Sequence, residues 1–204
     1  FSVDLQTIKL PSNFSLKSLS NAFCLNKVCC GAKPSPNSDL RTASFMAMVK
    51  IVECYYRLMK PWMQQVFQMS KAAIDRGVAA CGQALVKDDL GSVDDGLQEV
   101  TKQAIEVWST TAEIEGDILL EMEDCAATGR QCERENHGFV AKSLELLVPV
   151  YLKALLLQKD DFDAEEWTIR KAAACSLELF AHVVKDHILK YALAFVEQNI
   201  GGQV

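Results

Sequence analysis

A chain of 204 residues, half of them apolar and 24% charged, is long enough to bury one core or several stacked repeats and too apolar for a disordered tail. Its net charge of −6 sets it apart from proteins that grip phosphate backbones with a basic stripe, so direct nucleic-acid binding is not expected. An acidic surface suits basic proteins or peptides, which it attracts during encounter.

Residues 1–20 hold Pro11 and Ser12, Ser15, Ser18 and Ser20 without a clear apolar stripe, and are expected to form an atypical or loosely ordered terminus. Helical periodicity then dominates. Helices are predicted over about 20–32, 38–59, 62–86, 94–124, 138–158, 167–184 and 187–199. The breaks fall where turn residues cluster, at Pro34 to Ser38, at Asp88 to Ser92, at Gly129-Arg130, and in the acidic run before Trp167. Pro61 stands at a helix start, where its missing N–H costs little. Leu40, Ala43, Ala47, Ile51, Cys54 and Leu58 step by three or four and read as one buried stripe. Ile169, Ala172, Ser176, Phe180 and Val183 read likewise, and a weaker stripe runs from Val100 through Ala104 and Val107 or Trp108 to Thr111. β-Branched alternation is nearly absent, so the fold is all-α.

Leu40-Arg41-Thr42-Ala43-Ser44 and Ile169-Arg170-Lys171-Ala172-Ala173 share a pattern of apolar, Arg, any, small, small. Small residues let helices pack closely, and the Arg can satisfy carbonyls of an adjacent repeat. Helix-pair solenoids of about 40–47 residues per repeat have this texture. The chain begins at Phe1 without a methionine, and its last predicted helix runs almost to the end, so it reads as a piece of something longer.

Eight cysteines are scattered along the chain, several inside apolar helical runs, and read as buried thiols of a reducing compartment rather than a disulfide framework. No signal peptide is visible, and the greasiest segment, SLELLVPVYLKALLLQ, carries Glu145, Pro149 and Lys153, short of the roughly 20 apolar residues a membrane span requires. A soluble intracellular protein without membrane insertion is expected. Adjacent Cys29-Cys30, Cys125 and Cys132 seven apart, and His182 and His187 five apart make no paired metal motif. Neither a phosphate-binding glycine loop nor a nucleophile elbow occurs, so no metal, cofactor or enzymatic activity is expected.

Three segments carry a family likeness. NKVCCGAKPSPNSDLRTASFMAMVKIVECYYRLM includes a Val49-Lys50-Ile51 then Tyr55-Tyr56 track, QAIEVWSTTAEIEGD includes Ile105-Glu106 and Trp108-Ser109, and AKSLELLVPVYLKALLLQ leads into DDFDAEEWTIRKAAACSLELFAH. In order and spacing they resemble the importin-β (karyopherin-β) nuclear transport receptors, around the sixth to ninth HEAT repeats, over about residues 22–200. Two departures stand out: KAAIDRGVAACGQALVKDDLGSVDDG is longer than the family's seventh repeat needs, and residues 1–20 do not recover the preceding repeat. The resemblance implies a HEAT-repeat solenoid over 21–204, an α-α superhelix of about three helix pairs plus a trailing helix. It also implies a protein of cytoplasm, nucleus and nuclear pore that binds importin-α or basic cargo, Ran-GTP and nucleoporin phenylalanine-glycine repeats, without covalent chemistry. A repeat scaffold unrelated to transport is the alternative.

Asp160, Asp161, Asp163, Glu165 and Glu166 crowd like charges into one stretch and create a local negative potential, suited either to an ordinary solvated linker or to contact with Ran or the basic importin-α segment. Trp167 fits the core or a stacking platform for a cationic side chain equally well. Glu106 and Glu113, seven apart on one helix face, match family positions on the concave, partner-binding side. Phe23, Leu25, Val28, Trp62 and Met69 lie near the family's phenylalanine slot between the fifth and sixth repeats, with Trp62 in place of the usual Tyr and Cys24 where an aromatic would stand.

Overall fold

The computed structural model describes residues 27–33, 37–87, 92–157 and 166–200. Among these residues there are six helices and no strands. They are α1 (Ser38–Tyr55), α2 (Met63–Val86), α3 (Asp95–Thr128), α4 (Phe139–Leu155), α5 (Ile169–Val184) and α6 (Leu189–Ile200), preceded by a helical turn at 27–32. No helix is long and apolar enough to cross a membrane among the described residues.

Local chemistry sets most boundaries. Asn37 Oδ1 accepts the Leu40 N–H at 2.9 Å to start α1. Asp94 accepts the N–H groups of Gly96 and Leu97 to start α3, and the Thr168 hydroxyl accepts the Lys171 N–H to start α5. Gly129 ends α3 in the left-handed region at φ 69°, where a side chain would be strained, and the Arg130 N–H then bonds back to the Cys125 carbonyl at 2.9 Å. The predicted break at Gly129-Arg130 therefore stands, with the helix running up to it.

The helices form two rows. α1, α3 and α5 run side by side and parallel: Ser38 at the head of α1 packs on Gly96 at the head of α3, and Val183 near the end of α5 packs beside Gly116 in mid-α3. α2, α4 and α6 form the second row. α2 and α3 make an antiparallel pair, in which Thr101 fills the space a Cβ on Gly77 would occupy, its Oγ1 only 1.9 Å from that position. Two turns along the same pair, the Trp108 indole N–H donates to Ser70 Oγ at 2.7 Å. α4 and α5 make the next antiparallel pair, with Tyr151 and Phe180 edge to face at 5.7 Å. The first row packs more closely than the second. Its buried positions include Ser44, Ala104, Ala112, Ala172, Ala173 and Ser176, residues small enough for backbones to approach. A closer-packed row lies on the inner side of an arc, so α1, α3 and α5 line the concave face of a HEAT-type solenoid and α6 is the trailing helix. Phe45, Met48, Val52, Ile105, Trp108, Leu147, Tyr151 and Phe180, all nearly or fully buried, fill the core between the rows.

Three expectations need correction. The stripe Leu40, Ala43, Ala47, Ile51, Cys54 and Leu58 is not the buried face of α1: Leu40 is 51% and Leu58 44% exposed, and α1 buries Arg41, Ser44, Phe45, Met48 and Val52 instead. The two sets differ by one residue, about 100° of rotation. A solenoid helix has an apolar flank toward each neighbour, and the flank of α1 that is buried deepest is the one that holds Phe45. Arg170 Nε does donate to a carbonyl, Leu155 at 3.1 Å, but within its own α4–α5 pair rather than in an adjacent repeat, while Arg41 is buried and its Nε has no partner among the described residues. The cysteines are not uniformly buried: Cys29, Cys81 and Cys125 are, whereas Cys30, Cys54 and Cys175 are exposed. The Ile169 and Val100 stripes are buried as expected, with Val184 taking the innermost place assigned to Val183. The extra residues of the second pair, over 71–86, are helix that lengthens α2. Residues 1–20 lie outside the described residues.

Candidate partner-binding surfaces

The inner row carries two of the acidic side chains expected to meet a partner. On α3, Glu106 is half-buried and Glu113 is exposed. Burial raises the Glu106 carboxyl above the usual carboxylate range, and the neighbouring negative charge of Glu113 raises it further. Neither has an ion-pair partner among the described residues, so a cation arriving here would relieve a real electrostatic penalty. Glu99, two turns before Glu106, is held below the usual range by its hydrogen bond from Lys102 and is already compensated at 2.8 Å. Because α5 runs parallel to α3 with Val183 beside Gly116, its head lies toward the Glu99–Lys102 end, within about two turns of Glu106. Glu166 and Trp167 sit at that head. Trp167 is 49% exposed and not part of the core, which leaves its ring face available to a cationic stem. The Lys171 ammonium bonds the Glu166 carbonyl, Thr168 caps the helix, and Arg170 reaches the Leu155 carbonyl, so the exit of the acidic run is tied down on both sides. Asp160, Asp161, Asp163 and Glu165 lie outside the described residues.

The outer row offers apolar furrows. Between α2 and α4 lie two slots. One, of about 420 Å³, is lined mainly by Val78, Ala79, Leu85, Val150, Leu156 and Leu157. The other, of about 330 Å³ and more polar, is lined by Met63, Phe67, Trp108, Phe139 and Leu146 together with Lys60, Gln64, Lys142 and Ser143. Phe67 and Val78 are eleven residues apart on α2, so the slots are about 16 Å apart along the helix. A third opening, of about 660 Å³, lies between α4 and α6, with Leu144, Val184 and Tyr191 in its wall and Glu115 at its floor. Of the expected slot residues, Phe23 and Leu25 lie outside the described residues. Val28, Trp62 and Met69 are partly buried against the core, and Trp62 and Met69 share one face of α2. None of them lines the two α2–α4 slots.

The two surfaces are held in register by a buried knot that sequence reasoning missed. Glu115, in the middle of α3 and fully buried, accepts the Tyr56 O–H at 2.7 Å, the Phe139 N–H at 2.6 Å and the Val140 N–H at 3.1 Å. Burial raises its carboxyl above the usual range, and the three hydrogen bonds pull the other way. Tyr56 also accepts the His137 N–H at 3.0 Å and stacks on the His137 ring, whose Nε2 lies 3.2 Å from the Arg57 carbonyl. One carboxylate thus ties the end of α1, the middle of α3 and the head of α4 together. A signal existed: Glu115 continues the stripe Ala104, Trp108, Thr111 at helical spacing, so an acid was due to be buried there.

No family model matches the chain. Among curated proteins it is 37% identical over 174 residues, 85% of its length, to importin subunit beta-1 of Schizosaccharomyces pombe, and 31% identical over 176 residues to importin subunit beta-1 of Saccharomyces cerevisiae. Yeast importin-beta (Kap95p) superposes over 91% of the chain with a TM-score of 0.71 at 27% identity. Two related solved structures hold partners. One is a Kap95:Nup1 complex, matched over 91% of the chain and 19% of that protein with a TM-score of 0.67 at 29% identity. In the other, matched over 86% of the chain and 18% of that protein with a TM-score of 0.64 at 28% identity, Kap95p binding makes the switch loops of RanGDP adopt the GTP-bound conformation. The chain spans about a fifth of the length of the relatives it matches, 18% of each curated one and 19% of Kap95p. Over that span, in sequence and in the two-row packing alike, it belongs to the importin-β family.

Proposed function

We infer that this segment works as part of a nuclear import receptor, taking nucleoporin phenylalanine-glycine repeats on its outer row and basic partners on its inner row. The observation that carries the reading is the pair of apolar slots in one furrow between parallel outer helices, in a chain related to the Kap95 of a Nup1 complex. A slot of this kind suits a single aromatic ring, and burial of one ring is worth about 1.5–3 kcal/mol. Two slots about 16 Å apart suit two rings on one extended peptide, separated by about five residues or more. The inner row supports Ran-GTP, importin-α or basic cargo as partners, because Glu106 and Glu113 lie two turns apart on α3 and Glu166 sits at the head of the neighbouring α5 beside an exposed tryptophan. Such pairs are exposed and individually weak, so they act on association rate and salt dependence more than on final affinity. A protein with these partners would move between cytoplasm and nucleus.

Titration with a peptide carrying two phenylalanine-glycine units tests the outer row. Ala79→Asp and Leu146→Asp each place a charge in one slot from an exposed position, and each should weaken binding about tenfold. Unchanged affinity in both variants removes the reading. For the inner row, Ran loaded with a non-hydrolysable GTP analogue and the Arg/Lys-rich importin-α segment are the baits. Retention of none of the three baits would leave a repeat scaffold with no transport role.

A further inference from the structure

The turn between α3 and α4 brings two thiols together. After the Gly129 cap the chain reverses and runs back along α3, and its register is fixed by ion pairs on either side: Arg130 to Asp124, and Arg134 to Glu121 at 3.4 Å. Cys132 lies between these two arginines, two residues after the Arg130 N–H that bonds the Cys125 carbonyl at 2.9 Å, so the return segment carries it back beside Cys125 in the last turn of α3. Cys132 is partly exposed and its thiol points at the Arg134 carbonyl at 3.4 Å, whereas Cys125 is 8% exposed. Neither is bonded to another cysteine. We propose that Cys125 and Cys132 form a reversible disulfide under peroxide, fastening the return segment to α3 just before the His137–Tyr56–Glu115 knot.

Hydrogen peroxide is the two-electron oxidant. The reachable Cys132 sulfur attacks a peroxide oxygen; an S–O bond forms, the O–O bond breaks, and hydroxide leaves as water after taking a proton, giving a sulfenic acid. The Cys125 sulfur then attacks the Cys132 sulfur; the S–S bond forms, the S–O bond breaks, and a second water leaves with the remaining thiol proton. A small thiol such as glutathione reverses the step by exchange. Burial raises the Cys125 thiol, and the adjacent Cys132 adds to it, which suits Cys125 to the second step rather than the first. Transient, sensing disulfides of this kind are the sort that occur in reducing compartments.

Trypsin cuts after Arg130 and Arg134, so the two cysteines fall on separate peptides that only the disulfide can join. The full chain is treated with hydrogen peroxide, at a dose that oxidises the exposed Cys175, then alkylated and digested without reductant. The expected product is the joined pair of peptides, lighter by two hydrogens than their sum, released by reductant and at least about tenfold more abundant than any other cysteine pair. Cys132→Ser should abolish it, and Cys175→Ser should leave it unchanged. A Cys132 sulfenic acid that accumulates without linkage, Cys132 joined to a different cysteine, or no linked product at the stated dose would each overturn the proposal.

Discussion

The inner and outer rows are assembled from the same antiparallel pairs, yet one closes and the other opens. Along α1, α3 and α5 the buried contacts include Ser44, Ala104, Ala173 and Ser176, and neighbouring backbones come close. Along α2, α4 and α6 larger side chains such as Phe67, Leu146 and Leu156 stand between neighbours, and furrows remain. Side-chain volume at the contact, rather than hydrophobicity, decides which row is sealed and which is slotted. The close packing that seals the first row goes with the looser spacing that leaves clefts along the second.

That contrast can be broken hardest at its hinge. Glu115→Ala leaves the Tyr56 hydroxyl and the Phe139 and Val140 N–H groups without their acceptor, and should cost about 3 kcal/mol or more in urea unfolding. A loss under about 1 kcal/mol would mean the rows are held together by apolar packing alone. Gly77→Ala tests the closeness of the α2–α3 pair. Alanine gains about 1 kcal/mol in helix propensity, but its Cβ meets the fully buried Thr101, so a net loss of about 1–2 kcal/mol is expected. A stabilised variant would show that this contact gives way freely.

A pH series sharpens the picture further. The folded carboxyl of Glu115 binds its proton more tightly than the unfolded one, so its contribution to stability is full below the ordinary glutamate pKa and declines as pH rises through the raised value. The slope from this one group stays under about 1.4 kcal/mol per pH unit. Glu115→Gln should flatten that decline relative to the parent chain, and parallel curves would assign the slope elsewhere. The smallest effect belongs to the open face: Glu106→Gln with Glu113→Gln should weaken a basic partner a few-fold at low salt and hardly at all at high salt. A loss that persists at high salt would point to shape rather than charge.

Much of this was readable in the residues. Asn37, Asp94, Thr168 and Gly129 are the cap and stop residues of their helices, and the Ile169 stripe names the buried face of α5 correctly. The stripe of α1 was misjudged because a repeat helix has two apolar flanks, and periodicity alone does not say which neighbour each flank meets. Glu113 and Trp167 are exposed and Glu106 is half-buried, so all three can be reached from solvent. The α2–α4 slots were not foreseen: their walls come from residues some 70 apart in sequence, such as Val78 and Val150, and each reads as ordinary core within its own helix. Glu115 was overlooked for a related reason, since its three donors lie on two distant segments.

The head of α4 begins at Gly138 with no side chain of its own closing the first turn. The acceptor for its leading amides comes from Glu115, a full helix earlier. Each hairpin in a linear array ordinarily carries its own start signals and couples to the next through greasy contact. Here a start signal is lent across the boundary, so the second and third hairpins behave as one thermodynamic unit. Unravelling that begins at either end should pause at this junction and then pass it in a single step.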